Sequence, residues 1–344
     1  MDVDELRTWA ERVLTRAGAS AKAASTTAAC LVDADSRGVS THGVALLPFF
    51  AEAVDGGHVN GSARPWVVQE TEAMALVDGD VGLGPFVATF ATELCCTKAL
   101  APGVAAVGVR NSTHFGAASY YAALASRRGL IGVAVTNSAP AMAPLGSRKP
   151  ILGTNPIAIA APGSAHAIAP SLDIATSVVA AGRIALAAAA GAEIPADWAI
   201  DRDGRMTRDA DEALRGAVLP MAQHKGFGLA FMIDVLSACL TGAIPSPNIG
   251  SSGEAYGQET GIGHFFFCLN VEAFTSMQGY ENRLDVLTRA VHEAPRAGGS
   301  TPLLVPGEPE VVQARESKAG IVLPVYALDQ LSELGHRFDC PPTW

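Results

Sequence analysis

An α/β fold, with a mixed-sheet core domain and a helical domain built from both chain ends, is predicted by three observations. Apolar residues recur at helical spacing in the outer thirds of the chain. The middle alternates short strand-like runs with helical ones. No G-x-G-x-x-G stands at a strand-to-helix turn, so the core is expected to be non-Rossmann. The nearest candidates fail: Gly226-Phe-Gly228-Leu-Ala-Phe231 lacks the third glycine inside a helical pattern, and Gly79–Gly84 has its glycines in the wrong order.

The elements follow in order. Leu6, Trp9, Val13 and Leu14 lie on one helical face, Ala-rich turns continue through Cys30 and Val32, and Val44–Val54 resumes a helix after Gly38 and Gly43. Residues 66–78 alternate as a strand pair and Gly79-Asp-Val-Gly is a turn signal. Pro85–Leu100 reads as a helix, Val104–Val109 as a buried strand, Ala117–Arg127 as a helix and Leu130–Thr136 as a strand. After a long loop over 137–154, Ile157–Ala161 and Ala167–Ile174 read as strands, followed by a helix from about Thr176 to Ala190. Trp198–Asp201 is strand-like. Gly226–Leu240 is apolar enough to predict a helix buried on most sides. Gly263–Asn270 is a strand, and helices are expected within 271–296 and over Leu328–Leu334. The predicted partition is a helical domain of residues 1–70 plus 275–344 and an α/β domain of 71–274 that binds cofactor and substrate.

Composition narrows the function. The 344 residues are 49% hydrophobic, enough for a sizeable core. A net charge of −10, without a basic cluster, argues against a nucleic-acid partner. No apolar run reaches membrane-span length and the acidic start lacks an apolar signal region, so no membrane association and a cytoplasmic location are expected. The six cysteines show neither a C-x-x-C pair nor metal-ligand spacing, which predicts free, mostly buried thiols. The eight histidines form no H-x-x-x-H or H-E-x-x-H pattern, so no metal is expected, and G-x-S-x-G is absent.

Five short polar segments in alanine-rich surroundings carry the chemistry, since polar groups in such stretches need partners or a ligand. Thr41-His42-Gly43 puts an imidazole in a glycine-flanked turn, where it can cap a helix or hold a proton for transfer near neutral pH. His114, in Asn111-Ser-Thr-His-Phe-Gly116, follows a strand and precedes a helix, a place for a cap or for ligand contacts. Thr154-Asn155-Pro156 ends the long loop, as an Asx turn or as a site. In Asp173-Ile-Ala175-Thr176-Ser177, the hydroxyls could cap the next helix. The carboxylate at a strand end could instead orient His42. His224-Lys225-Gly226 opens the apolar helix. A lysine there opposes the helix dipole unless an anion relieves it.

In order and spacing, these segments resemble the malate/L-lactate dehydrogenase type-2 family from about Asp4 to about Leu334. The resemblance implies NADH- or NADPH-dependent reduction of a small 2-oxo acid or cyclic 2-imino acid, on a non-Rossmann fold that forms homodimers with the active site near the interface. It implies His42 as proton donor with Asp173 supporting it, and Thr41 in place of the family's serine. Thr154 and Asn155 would face the substrate. His114, Asn155, Asp173, Ala175, Thr176, Ser177, His224, Lys225 and Gly226 would serve the cofactor, NAD or NADP. Gly307 and Glu308 match a further segment near it. The family pattern S-H-G-x-x-R departs at Leu46, where an arginine would hold a carboxylate bidentately. Three readings follow: another cation such as Arg37, Arg148 or Lys149 substitutes, the substrate is bulkier or otherwise altered around Leu46, or activity is lost and a cofactor-binding paralogue remains.

Overall fold

The computed structural model describes residues 1–250, 260–297, 302–323, 325–342 and 344. Helix α1 (Val3–Arg16) starts at Asp2, whose carboxylate accepts from the Asp4 and Glu5 amides at 2.9 and 3.0 Å. It buries the expected Leu6, Trp9, Val13 and Leu14 face. Helix α2 (Ala21–Ser36) and, after two short 3-10 turns, α3 (Leu47–Asp55) pack on it. The far end of the chain closes this core. Ile321, Leu331, Leu334 and Phe338, the last three on or just after the final helix (Val325–Arg337), join the same apolar cluster. The Trp9 indole donates to Cys340 O at 2.8 Å, and Met1 and Ile321 exchange backbone hydrogen bonds of 3.0 and 2.7 Å.

The main sheet has seven strands: β1 (Trp66–Glu70), β2 (Met74–Asp78), β3 (Val104–Ser112), β4 (Leu130–Thr136), β5 (Ile157–Ala160), β6 (Ser171–Ile174) and β9 (Ile262–Asn270). Their spatial order is β1-β2-β3-β9-β4-β5-β6, with β2–β3 parallel and every other neighbour antiparallel. The expected mixed sheet is therefore present, and its central strand comes late in sequence. Helices α4 (Gly84–Ala99) and α5 (Ala118–Ser126) cover it through Val87, Ala91, Tyr121, Val107 and Phe266. Between β6 and β9 lie α6 (Ala181–Ala189), β7 (Ala199–Ile200), α7 (Ala210–Arg215), β8 (Ala217–Val218) and α8 (His224–Asp234), which share a smaller core around Met142, Leu152, Ile184 and Val218. Helix α9 (Met277–His292) is tied to the sheet side, where the Tyr280 hydroxyl donates to Pro162 O at 2.9 Å. Helix α10 (Glu308–Glu316) precedes the final helix, α11 (Val325–Arg337).

Three expectations are corrected. Helix α6 begins at Ala181, not near Thr176, because Thr176 and Ser177 spend their hydroxyls on Thr154 O and Val179 O rather than on a helix cap. Strand β6 begins at Ser171; Pro170, lacking an N–H, cannot extend the ladder. Helix α8 is not buried on most sides: Ala230 and Ile233 face inward, while Phe231 and Met232 are each 54% exposed. The sequence pattern missed α7 and α10. All six cysteines are free, with Cys30, Cys95, Cys96 and Cys268 buried. Among the described residues no helix is long and apolar enough to cross a membrane, and no group of three metal-ligating side chains assembles.

Candidate active site

The site starts from a glycine. A Cβ at Gly43 would fall 2.0 Å from Asp35 Oδ1, so only glycine lets the turn Ser40–His42 lie on the end of α2. Asp35 is 6% exposed and accepts from the Val44 amide at 2.7 Å, fixing the chain just past His42. Burial pushes its carboxyl up to about 7, against the pull of that hydrogen bond.

His42 contacts Thr41 Oγ1 through Nδ1 at 3.0 Å. Its pKa is lowered by burial, and the nearby Asp173 carboxylate acts in the opposite sense. The His114 ring stacks on it, centroids 6.0 Å apart and planes 25° apart. His114 Nδ1 accepts from the Gly116 amide at 3.2 Å, which places the proton of its neutral ring on Nε2. Burial first, then His42, pull His114 down to about 3, so it stays neutral. Asp173, at the end of β6, accepts from the Ser119 amide in the first turn of α5 at 2.8 Å.

Thr41, His42, His114, Thr154, Asp173, Ala175 and Ser177 all line one cleft of about 510 Å3. The 3-10 turn Ser40–His42, the loop after β3, the loop ahead of β5 and the end of β6 thus bring together residues that are far apart in sequence. The remaining sequence candidates stand outside its wall. Asn155 is fully buried, its amide spent on Ala230 O at 3.0 Å and on the Ser138 amide at 3.2 Å. Thr176 is buried and clasps Thr154 O through both its amide and hydroxyl. Leu46 packs on the apolar core of the chain ends and does not line the cleft. Glu308 accepts from the Val305 amide at 2.9 Å and pairs with His292 at 2.9 Å, while Gly307 takes a left-handed φ of 95° to start α10.

His224 and Lys225 are exposed on the first turn of α8, which has no side-chain cap. Ala222 and Gln223 ahead of them adopt φ of 46° and 57°, a strained pair for residues bearing Cβ. A Cβ at Gly226 would lie 2.4 Å from Met221 O and 2.5 Å from Thr176 O, so this glycine docks α8 against the Thr176 segment. Lys225, beside this glycine, is exposed.

Of the suggested substitute cations, Arg37 lines the cleft and is ion-paired with Asp33 at 2.6 Å. Arg148 and Lys149 are exposed elsewhere. The residues that sequence reasoning missed are Asp35, Arg183 and Glu310. Asp35 carried a faint signal, one of two acids ending an alanine-rich helix. Nothing in the spacing links Arg183 or Glu310 to His42. Glu310 Oε2 is a buried oxygen on the cleft wall with no hydrogen-bond donor. A ribose hydroxyl would satisfy it, so the wall fits a nucleotide cofactor.

Residues 1–332 match the malate/L-lactate dehydrogenase family model. This chain belongs to that family. It is 36% identical to a malate dehydrogenase of Pyrococcus abyssi, covering 97% of this chain and 93% of the relative. It is 38% identical to an L-sulfolactate dehydrogenase of Methanocaldococcus jannaschii, covering 94% and 92%. The crystal structure of a malate dehydrogenase from Entamoeba histolytica superposes with a TM-score of 0.94 at 28% identity, covering 100% of this chain and 99% of that one. Other relatives carry NAD(+) or NADP(+) in their names. The chain is an NAD(P)-dependent oxidoreductase of this family.

Proposed function

We propose that the cleft reduces the C=O of a small 2-oxo acid, or the C=N of a cyclic 2-imino acid, with His42 as proton donor. The observation that carries this reading is the meeting of His42, His114 and Asp173 on one cleft wall. A bound NADH or NADPH supplies a hydride to the electrophilic carbon. The protein must then supply one proton to the oxygen or nitrogen. His42 suits that task because Thr41 engages Nδ1, leaving Nε2 for the substrate. Asp173 favours the protonated ring, whereas burial favours the neutral one. The balance makes His42 a strong acid for reduction and, once neutral, a ready base for the reverse oxidation. His114 is held neutral, so its Nε2–H serves as a fixed hydrogen-bond donor rather than a proton source.

Candidate residues for the cofactor are Asp173, Ala175 and Ser177 on the wall, Glu310 for a hydroxyl, and Lys225 for a phosphate approaching the start of α8. The working unit we propose is a homodimer, supported by Phe231 and Met232 presented outward on α8 and by Leu240, 64% exposed just beyond it. Light scattering after size exclusion checks this; a monomer at micromolar concentration sinks it. The reaction is tested by following NADH and NADPH absorbance with pyruvate, oxaloacetate, sulfopyruvate and a cyclic imino acid. Turnover of at least one by the wild type is expected, and turnover of none by either cofactor refutes the reading.

A further inference from the structure

We infer that Arg183, from helix α6, anchors the carboxylate of the substrate in place of the cation missing at position 46; this rests on the reductase reading above. A 2-oxo acid carries its carboxylate one bond from the carbon that receives hydride. The group that binds the carboxylate must therefore stand next to the group that protonates the adjacent oxygen. Leu46 is partly buried, packs against the core of the chain ends and does not line the cleft, so this position supplies no charge there.

Two arginines line the cleft among the described residues, Arg37 and Arg183. Arg37 is ion-paired with Asp33 at 2.6 Å, which offsets its charge, although its buried Nε has no hydrogen-bond partner. The Arg183 guanidinium has no hydrogen bond or ion pair to the described residues, and its side chain is exposed. Its position is set by the preceding residue. A Cβ placed on Gly182 would sit 3.5 Å from Thr41 Cγ2, so the first turn of α6 rests against the Thr41–His42 turn. Arg183 thus emerges beside the proton donor from a different element than the family pattern uses.

Charge on the same wall makes a cation necessary. Asp173 and Glu310 both line the cleft, and their carboxylates oppose an incoming anion. A guanidinium fork offers two parallel donors to a carboxylate, with geometry that an ammonium cannot copy. The arginine therefore orients the substrate carbonyl toward His42 as well as attracting it.

The experiment compares wild type, Arg183→Leu and Arg183→Lys. With whichever substrate of the panel turns over, Arg183→Leu should raise KM about 10–100-fold, the usual worth of a charge-assisted contact. It should change kcat and the Kd of NADH much less, and Arg183→Lys should recover part of the loss. A second arm needs no turnover: oxalate, which places a carboxylate beside a second pair of oxygens, is titrated calorimetrically into enzyme saturated with the oxidised cofactor. Loss of oxalate affinity in Arg183→Leu supports the assignment even if every substrate fails and the reductase reading falls. Unchanged KM overturns the assignment. Equal oxalate affinity in wild type and Arg183→Leu, including none in either, also overturns it.

Discussion

The His42 turn and the start of α8 are built alike and end differently. Each sets a chemically able side chain beside a glycine forced by close approach, Gly43 on the Asp35 carboxylate and Gly226 on Thr176 O. His42 then faces a cleft shared with His114 and Asp173, whereas Lys225 is exposed on the outside. Close glycine packing fixes where a motif sits, and the direction of its side chain decides what it can touch. The first region gathers its neighbours from several loops of the chain. The second leaves its cation in solvent.

The largest effect that tests this contrast is on His42. His42→Ala should lower kcat by about 10²–10⁴, the range of a positioned general acid, with the Kd of NADH nearly unchanged. Stopped-flow turnover and fluorescence titration measure the two separately. A mutant that keeps its kcat and loses cofactor affinity would put His42 in the role proposed for Lys225.

Gly43→Ala should follow. The added methyl must displace Asp35, and overpacking of this kind costs about 1–3 kcal/mol. Chemical denaturation reads the loss, and activity should fall with it because the Val44 amide loses its partner. Stability and activity both at wild-type levels would mean the turn tolerates the shift. Lys225→Ala should weaken NADH or NADPH binding by about tenfold, the loss of one charge-assisted contact. The kcat at saturating cofactor should hold. Unchanged affinity for both cofactors would leave Lys225 as a solvated surface charge.

How much of this was legible in the sequence differs between the two regions. Periodicity gave α1, α4, α5 and the central strands because each buries one regular face or runs through the core. The His42 turn was readable because its polar residues interrupt an apolar stretch. The burial of α8 was misread, since an all-apolar helix looks the same in sequence whether it packs on one side or many. The partners that complete the cleft were hidden for a different reason. Arg183 and Glu310 join the His42 cleft through the placement of α6 and α10, which spacing along the chain does not encode, whereas Asp173 was named from its place at a strand end. Asn155 shows the converse: a motif residue whose amide is consumed by Ala230 O and the Ser138 amide. The helix-cap reading of Thr176 and Ser177 failed because the chain folds back to Thr154 before α6 begins.

A subtler test sharpens the electrostatics of the cleft. Asp173 raises the His42 pKa that burial lowers. Asp173→Asn keeps an acceptor for the Ser119 amide and removes the charge. The protonated His42 required for reduction should then survive only to lower pH. The descending limb of kcat/KM for reduction, measured against pH, should move acidward, while the limb for the reverse oxidation moves the same way. Limbs that stay in place would show that Asp173 does not act on His42.

The last test lies beneath the turn rather than in the cleft. Burial pushes the folded-state carboxyl of Asp35 up to about 7 from its ordinary 3.8. Below the lower value both folded and unfolded chains hold the proton. Between the two, the folded chain keeps a proton that the unfolded chain releases, so this group's contribution to stability is lost as pH rises through that window and is flat above it. The neutral rings of His42, His114 and His264 work in the opposite sense, since their lowered pKa values make stability grow as pH rises toward the ordinary histidine value. Comparing wild type with Asp35→Asn cancels the histidines. The amide still offers an oxygen to the Val44 N–H, so the turn is kept while the titration is removed. Melting temperatures taken every half unit from pH 4 to 8 should show the variant gaining on the wild type as pH rises, with the gap levelling off above about 7. Parallel curves would show that Asp35 is ionised in the folded protein throughout, and that the ground under His42 carries a charge the burial argument denies it.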